Sequence, residues 1–459
     1  MLKMGSRRYS GLMVLFLVSV FLAGCQGIQT KNEQQERKNL EVLSREYRPD
    51  GRKISLPSLD RDSTLGAFLT YAMLNQPRVE AAYYEYAASV EKITLERSLA
   101  DPRFSFQMDI TNMINSIMPG LMLDVPWPTK LSSRADVASA ESRARYYSFA
   151  RAVLETAFDV KSAYYQLHFL ENRIRINREM LNLMNELEEI ARLLNGAGKA
   201  TLQDVIRAQI EQARLETEIA NLEDSRKPLA AKLKTALGIP AGQPDPPIPA
   251  RFEPVRLDMS PEQLLETAMT HNPQLKSMEA ELRAAEYGIR LARLSWFPDF
   301  TFGVEGDVRT TPVMVRPKLE MTLPVWVDKI TAEIVSAQAR KDAASARLSL
   351  EQIQLALEIA DKSFTYRESR RNLKLLSEKL IAKAEMSLNI AHAGYSAGKI
   401  EFINLLEAER TLLEFKLAEA EARTRCELAL AELSLLIGVR PQGAPLPVNA
   451  APPEKKPKI

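Results

Sequence analysis

The sequence contains an internal duplication, which constrains its fold more than any other feature. Proline- and glycine-containing motifs recur at a separation of 196 to 200 residues. The matched pairs are Asn75-Gln76-Pro77 with His271-Asn272-Pro273, Asp101-Pro102 with Phe297-Pro298, Pro126-Trp127 with Pro324-Val325-Trp326, Gly198-Lys199 with Gly398-Lys399, and Leu237-Gly238 with Ile437-Gly438. A period this long exceeds that of any solenoid unit, so each repeat is half of the protein. We assign the repeats to residues 63–240 and 260–440, joined by a proline-rich linker over 241–259.

Each half is predicted to be mainly α-helical with a small β part. The pattern gives a helix, a β-hairpin, a long helix and a further helix, with helices over 75–101, 129–195 and 201–237, then 271–297, 327–395 and 401–437. In the first long helix Val160, Leu167, Ile174 and Leu181 recur every seven residues, which indicates coiled-coil packing. The two shorter helices together match the long one in length. One long helix beside two stacked short ones predicts a rod rather than a compact globule.

The N-terminus predicts export. Three cationic residues precede a short apolar run, Gly11 to Leu22, which is too short to span a bilayer. The run ends in Leu22-Ala23-Gly24-Cys25, which resembles the lipobox of bacterial lipoproteins. The resemblance implies a signal peptide over 1–24, lipidation of Cys25 and anchoring in the outer membrane; the alternative is an ordinary secretory signal. Residues 25–62 are interpreted as a lipidated tether, and 441–459 as a disordered Pro/Lys tail.

The two hairpins, at about 103–125 and 299–325, carry alternating apolar and polar residues. Their turns are predicted near Asn115–Gly120 and Arg309–Pro312. Strands of nine or ten residues match the length of a membrane β-strand, although two hairpins capping a soluble bundle would read the same way. In lipid, four strands cannot close a barrel, and open edges leave backbone groups unpaired. Closure then requires several copies, and three copies give twelve strands.

Composition argues against several other classes of protein. A net charge of +2 does not favour a nucleic-acid partner, and two cysteines with three histidines do not favour a Cys/His metal site. The run Asn195–Ala200 lacks the residues of a phosphate-binding loop, and neither a G-x-S-x-G nor an H-E-x-x-H motif is present. We therefore predict no enzyme, no cofactor and no bound metal.

The layout resembles the TolC-type outer-membrane efflux protein family over about residues 64–440. The most specific match is Ala393-Gly394-Tyr395-Ser396-Ala397-Gly398 followed by Leu405-Leu406-Glu407-Ala408-Glu409. The resemblance implies a homotrimer whose twelve-stranded outer-membrane β-barrel continues into a long periplasmic α-helical coiled-coil tunnel. It also implies a passive exit duct that works with a periplasmic adaptor protein and an inner-membrane transporter. The implied adaptor-facing turns contain Gly196, Gly198 and Lys199 in one repeat, and Gly394, Gly398 and Lys399 in the other.

The same resemblance implies a gate at the periplasmic tip. Asp204 and Tyr395 match the carboxylate and phenol of a polar link, while Asn404 and Glu407 match the constriction positions. Asn404 departs from the acidic residue often found there, and Ile400 departs from a basic one. Carboxylates repeated around a threefold axis would form a negative ring that favours cations. Taken without the fold, Asp204 and Glu407 read as residues of a solvated helix face.

A narrower resemblance concerns the substrate. Met118-Pro119 and Pro126-Trp127-Pro128-Thr129-Lys130-Leu131 look like the hairpin and helix entry of heavy-metal exporters in this family, except that Thr129 replaces the usual Gly. The hairpin methionines (Met108, Met113, Met118, Met122, Met314 and Met321) could bind a soft cation or simply fill apolar space. Three functions therefore stay open: an exit duct, a periplasmic coiled-coil lipoprotein scaffold without a barrel, and an enzyme on a helical frame.

Overall fold

A computed structural model describes residues 29–110, 113–249, 252–253 and 259–438. After α1 (Lys31–Tyr47), the first repeat contains α2 (Leu65–Asn75), α3 (Pro77–Arg97), β1 (Arg103–Ile110), β2 (Ile114–Val125), α4 (Pro128–Gly196), α5 (Leu202–Asp224) and α6 (Arg226–Ala236). The second contains α7 (Pro261–His271), α8 (Pro273–Arg293), β3 (Phe300–Asp307), β4 (Met314–Met321), α9 (Val327–Leu375), α10 (Ile381–Ser396) and α11 (Phe402–Leu436). The order helix, hairpin, long helix, helix therefore occurs twice, which confirms a mostly helical chain with a small sheet.

Helix α4 is the longest helix and contacts helices of both repeats. It is 69 residues long and packs against α3 and α8 near the sheet and against α5 and α11 farther away. At 1.5 Å per residue it extends about 100 Å. The predicted heptad residues Val160, Leu167 and Ile174 are all buried along it. The core is accordingly a series of clusters along a rod.

The repeated Asn-Pro and Leu-Gly motifs contact each other within each repeat. Asn75 Nδ2 donates to Leu237 O at 3.0 Å, and Asn272 Nδ2 donates to Leu436 O at 2.8 Å. Gly238, at φ +70°, lies so close to the Asn75 carbonyl that an added Cβ would stand 2.8 Å from it. The recurrence of these motifs therefore reflects a helix-end clamp that was duplicated with the fold.

The segment predicted as a tether over 25–62 requires a correction. Residues Lys31–Tyr47 form α1, which packs against α3 and α4 instead of hanging free. Glu33 is fully buried and pairs with Arg97 at 2.9 Å, and Glu36 accepts a hydrogen bond from Arg143 Nε at 2.8 Å. The polar composition concealed the helix because paired charges, Glu33 and Glu36, take half of its buried positions, and only Leu43 and Tyr47 add apolar ones.

The two hairpins join into one antiparallel sheet in the order β1-β2-β3-β4. The link between repeats is the pairing of β2 with β3, with Leu121 opposite Val304 and Leu123 opposite Phe302. Strands β1 and β4 each pair on one side only, so each leaves an open edge. One chain thus builds a fragment of sheet with two free ends.

The first predicted turn is wrong in position. Asn115–Gly120 lies inside β2, where Gly120 pairs with both Ser105 and Glu305. A Cβ on Gly120 would stand 2.5 Å from Ser105 Oγ, so this glycine permits close strand contact rather than a turn. The second hairpin does turn where expected, between Asp307 and Met314.

The faces of the sheet are inverted relative to a soluble protein. The apolar face is exposed to solvent, since the exposed fraction of the residue is 71% for Phe104, 57% for Phe106 and 66% for Leu319. On the opposite face Glu305 and Asp307 are each only 5% exposed. The register places Phe104, Leu121, Val304 and Pro317 in one row, so the pattern spans all four strands.

The two long helical arms differ by one residue. In the second repeat, five residues of π-helix, Leu376–Leu380, separate α9 from α10. Segments of 49, 5 and 16 residues together exceed the 69 residues of α4 by one. A π turn is the usual way in which a helix accommodates one inserted residue.

Candidate functional site

The candidate site is the end of the rod opposite the sheet, where four helices form a bundle. The C-terminal part of α4 meets α5, α10 and α11 around one apolar cluster that includes Leu187, Val205, Leu388 and Leu405. Each helix pair is closed by a short turn, one between α4 and α5 and the other between α10 and α11. Both turns therefore lie at the same end of the molecule.

The two turns have the same backbone structure. Gly198 and Gly398 have φ values of +72° and +70°, which favour glycine. Lys199 N donates to Leu194 O at 2.8 Å, and Lys399 N donates to Gly394 O at 2.8 Å. These six-residue bonds define a Schellman cap that ends each helix. The lysine side chains are left exposed at the extreme end of the bundle.

The remaining turn glycines occupy different settings. Gly196 is the last residue of α4 and is exposed, whereas Gly394 lies in the final turn of α10. A Cβ on Gly394 would come within 3.2 Å of the Ile400 side chain. The six residues predicted to face an adaptor are thus brought to one end of the protein, and their role in binding stays a prediction.

Asp204 and Tyr395 lie near each other but are not hydrogen-bonded. Asp204 instead closes a capping box, since its Oδ2 accepts from Thr201 N at 3.1 Å and its own N donates to Thr201 Oγ1 at 3.3 Å. Tyr395 is 4% exposed and packs edge-on against Phe402. Its hydroxyl has no hydrogen-bond partner among the residues that the structure describes. Burial, together with the negative charge of Asp204, raises the pKa of Tyr395 to about 12. The polar link expected between them is therefore absent from a single chain.

The two predicted constriction residues share a face of α11. Asn404 and Glu407 are three residues apart on the helix and both are exposed. Leu405 and Leu406 between them are buried in the bundle. The packing therefore directs Asn404 and Glu407 away from the core of their own chain.

The structure adds an ionic contact that sequence reasoning missed. Arg410 on α11 bonds to Glu211 on α5, which also accepts from Arg214 at 3.2 Å. Next to it, Glu409 is 2% exposed. Its spacing of seven residues from Phe402 and three from Leu412 identifies a core position, which was the available signal.

The part of the chain that the structure describes contains neither a membrane-spanning helix nor a metal-binding cluster. Across residues 29–438, apart from the gaps noted above, no helix is long and apolar enough to cross a membrane. The same residues contain no group of three or more His, Cys, Asp and Glu side chains that could hold a metal ion.

Comparison with known proteins gives one matching family and several relatives. The family model described as outer membrane efflux protein matches residues 264–439. The cobalt-zinc-cadmium resistance protein CzcC of Cupriavidus metallidurans is 22% identical over 77% of this chain and 85% of its own length. A probable outer membrane lipoprotein, SilC of Salmonella typhimurium, is 23% identical over 55% of this chain and 57% of its own.

Solved structures show the same fold. The outer membrane protein VceC of Vibrio cholerae superposes with a TM-score of 0.69 at 18% identity, covering 82% of this chain and 96% of that one. The channel protein CusC superposes with a TM-score of 0.72 at 15% identity, covering 83% of this chain and 93% of that one. The family match covers most of the second repeat, and the solved structures show that the fold extends over both repeats; this chain is therefore similar to outer membrane efflux proteins in both sequence and fold.

Proposed function

We propose that three copies of this chain form the exit duct of a tripartite efflux or type I secretion system in the bacterial outer membrane. The observation that carries the proposal is the inverted four-stranded sheet with two open edges. An exposed apolar face is favourable in lipid, but free edges there leave backbone groups unpaired at a cost of several kcal/mol each. Joining β4 of one copy to β1 of the next removes both edges and gives twelve strands around a polar lumen.

The positions of the tryptophans support placing the sheet in the membrane and the helices outside it. The chain has three, and all lie where strands meet helices: Trp127 before α4, Trp296 after α8 and Trp326 before α9. Trp326 is 73% exposed, and Trp127 stacks on Phe297 with ring centroids 5.0 Å apart. Tryptophan collects at membrane–water interfaces because its ring is amphipathic. The helix–strand junction would therefore sit at the periplasmic surface of the bilayer.

Exposed apolar stripes on the helices support assembly of the tunnel. On α5 the exposed residues Leu202, Ile206 and Ile210 repeat every four positions, and on α10 Met386 and Ile390 do the same. Both stripes lie within about ten residues of the tip. Each runs along the outside of the bundle, so α5 of one copy can cover α10 of the next. Three such contacts close a ring of coiled coils that continues the barrel.

We propose that the ring is gated at its tip. Asn404 and Glu407 would face the axis, where three copies of Glu407 form a negative ring that favours cations. Asp204 and the unpartnered hydroxyl of Tyr395 would be linked in the resting assembly. Adaptor contacts at the two Schellman turns would favour the open state, which requires tighter binding to that state.

The proposed substrates are heavy-metal cations, otherwise drugs or other small molecules. One relative, CzcC, is named for cobalt, zinc and cadmium resistance. Within this chain Met118, Met122 and Met314 share the polar face with Asp109 and Asp124, whereas Met108 and Met321 lie on the apolar face. A wet, acidic lumen suits cations.

Lipidation of Cys25 would add an anchor in the same membrane. The decisive experiment therefore uses the Cys25→Ser variant, exported with a non-lipoprotein signal, and measures its protein-only mass in mild detergent. A trimer that fractionates with the outer membrane is expected. A monomer or dimer that stays soluble without detergent would contradict the shared barrel and favour a periplasmic coiled-coil scaffold.

A further inference from the structure

Glu409 occupies a core position in the tip bundle that an apolar residue would ordinarily fill. Its neighbours in the same seam of α11, Phe402, Leu405 and Leu412, are 0 to 4% exposed. Glu409 is 2% exposed, and its Oε1 has no hydrogen-bond partner in the described parts of the chain. A carboxylate cannot be left charged in such a seam without a large loss of solvation free energy.

The groups around Glu409 do not neutralise it. From α5 it faces Glu211, a like charge, which is already bonded to Arg410 and Arg214. The helices packed around this seam also carry ionisable residues near its level in the sequence, among them Asp204 and Arg207 on α5, Glu186, Glu188 and Arg192 on α4, and Lys383, Glu385 and His392 on α10. Of these, Glu188 bonds to Gln209 and Glu385 pairs with Lys416. No cation is therefore held against the buried carboxyl by a hydrogen bond or ion pair in the described residues.

Burial, followed by repulsion from Glu211, raises the pKa of Glu409 to about 7, with Arg410 opposing the shift. When the helices separate, the group returns toward its ordinary value of 4.5. The packed state therefore binds the proton more tightly than the separated state. The stabilisation that the proton gives to helix packing is fully present below pH 4.5. It decreases as the pH rises toward 7 and is absent above that pH.

We propose that Glu409 is a proton-binding site that makes the packing of α11 against α5 at the tip depend on pH. With the proton bound, the seam is neutral and the four helices pack together. Without it, the buried charge and Glu211 push α11 and α5 apart. Under the proposed function, on which this consequence rests, acid favours a closed tip and neutral pH a looser one.

Hydrogen exchange tests the site on the full chain in detergent. Protection factors for residues 402–415, corrected for intrinsic exchange rates, are measured from pH 4.5 to 8. Since one pKa unit corresponds to a tenfold change, openings that expose Glu409 should become more frequent by up to about two orders of magnitude. The same measurement on residues 153–167 of α4, far from the tip, should show no such change.

Two variants separate proton binding from a merely structural role. Glu409→Gln should give pH-independent protection in 402–415. Glu211→Gln removes the like charge and frees Arg410, so the transition should move to lower pH. Wild-type protection that is constant over this range, or a Glu211→Gln profile identical to wild type, would overturn the proposal. Because exchange reports packing and not transport, either result is independent of whether the chain forms a duct.

Discussion

Lys130 and Asp299 tie the two repeats together where the helices meet the sheet. Lys130 Nζ lies 2.8 Å from Asp299 Oδ1 and also donates to Phe297 O at 2.8 Å. The same carboxylate oxygen accepts from the Trp127 backbone N–H at 2.9 Å. Lys130 is 8% exposed although it lies in the first turn of α4, beside the sheet. One buried lysine thus fixes the junction of four elements.

Lys130→Met should destabilise this junction. Removing the ammonium group takes the side-chain donor from the Phe297 carbonyl and leaves Asp299 Oδ1 with the Trp127 N–H as its remaining donor, at a cost of about 1.5–3 kcal/mol for hydrogen bonds to charged groups. Thermal unfolding followed by circular dichroism should show a lower midpoint than wild type. Lys199→Met, at the exposed tip, is the matched control and should unfold like wild type. Equal midpoints for both variants would show that the junction does not depend on this contact.

The depth in the membrane of Trp127, Trp296 and Trp326, here called the tryptophan rim, can be measured by fluorescence quenching. In vesicles containing lipids brominated at different acyl positions, tryptophan emission should be quenched most strongly by the shallowest bromine. Trp326→Phe should remove much of this quenching, because Trp326 is the most exposed of the three rings. Trp127→Phe, which removes the ring stacked on Phe297, is the comparison and should remove less. Emission insensitive to every brominated lipid would place the rim outside the membrane.

The proposed contact between neighbouring copies predicts a specific cross-link. A chain carrying Ile206→Cys and Ile390→Cys, in a Cys426→Ala background, should form disulfide-linked dimers and trimers on mild oxidation. A chain carrying Leu95→Cys with Ile390→Cys should not, since Leu95 lies in α3 near the sheet and Ile390 near the tip. Linked species from both pairs would indicate random collision rather than assembly.

The tip variants distinguish a role within one chain from a role in the assembly. The Tyr395 hydroxyl is buried without a partner, so Tyr395→Phe should leave the stability of an isolated chain unchanged or raise it. If the hydroxyl bonds across the assembled gate, the same variant should increase channel conductance and permeability to antibiotics. Asp204→Ala should also increase the leak, and it additionally removes the reciprocal half of the capping box, in which the carboxylate accepts from Thr201 N, at a cost of about 1 kcal/mol for one hydrogen bond. Unchanged conductance in both variants would exclude this gate.

Much of the fold could be predicted because the duplicated motifs have direct structural causes. Asn75 and Asn272 recur since each clamps the end of the last helix in its repeat. A capping box from Ser260 to Gln263 begins α7, and such a box follows from residue types three positions apart. Helix α1 was missed because buried ion pairs such as Glu33 with Arg97 do not produce an apolar pattern.

The candidate site was predictable only in part. The turns at Gly198 and Gly398 follow from local backbone requirements, which sequence records. Asp204 does not bond to the Tyr395 hydroxyl because its carboxylate accepts a hydrogen bond from the backbone N–H of Thr201 instead. Sequence alone does not show which of these two partners the carboxylate takes. The first hairpin turn was misplaced because Gly120 serves close packing against Ser105, and a glycine looks the same in either role.

The π turn at Leu376–Leu380 lies in the arm that is one residue longer than its counterpart α4. One extra residue in an α-helix would rotate everything beyond it by about 100°, so every side chain of α10 would face the wrong neighbour. Widening a single turn absorbs the residue and restores the phase of the helix before the tip is reached. The two arms can therefore differ in length while their ends keep equivalent faces, and the proposed trimer would present six nearly identical helix turns.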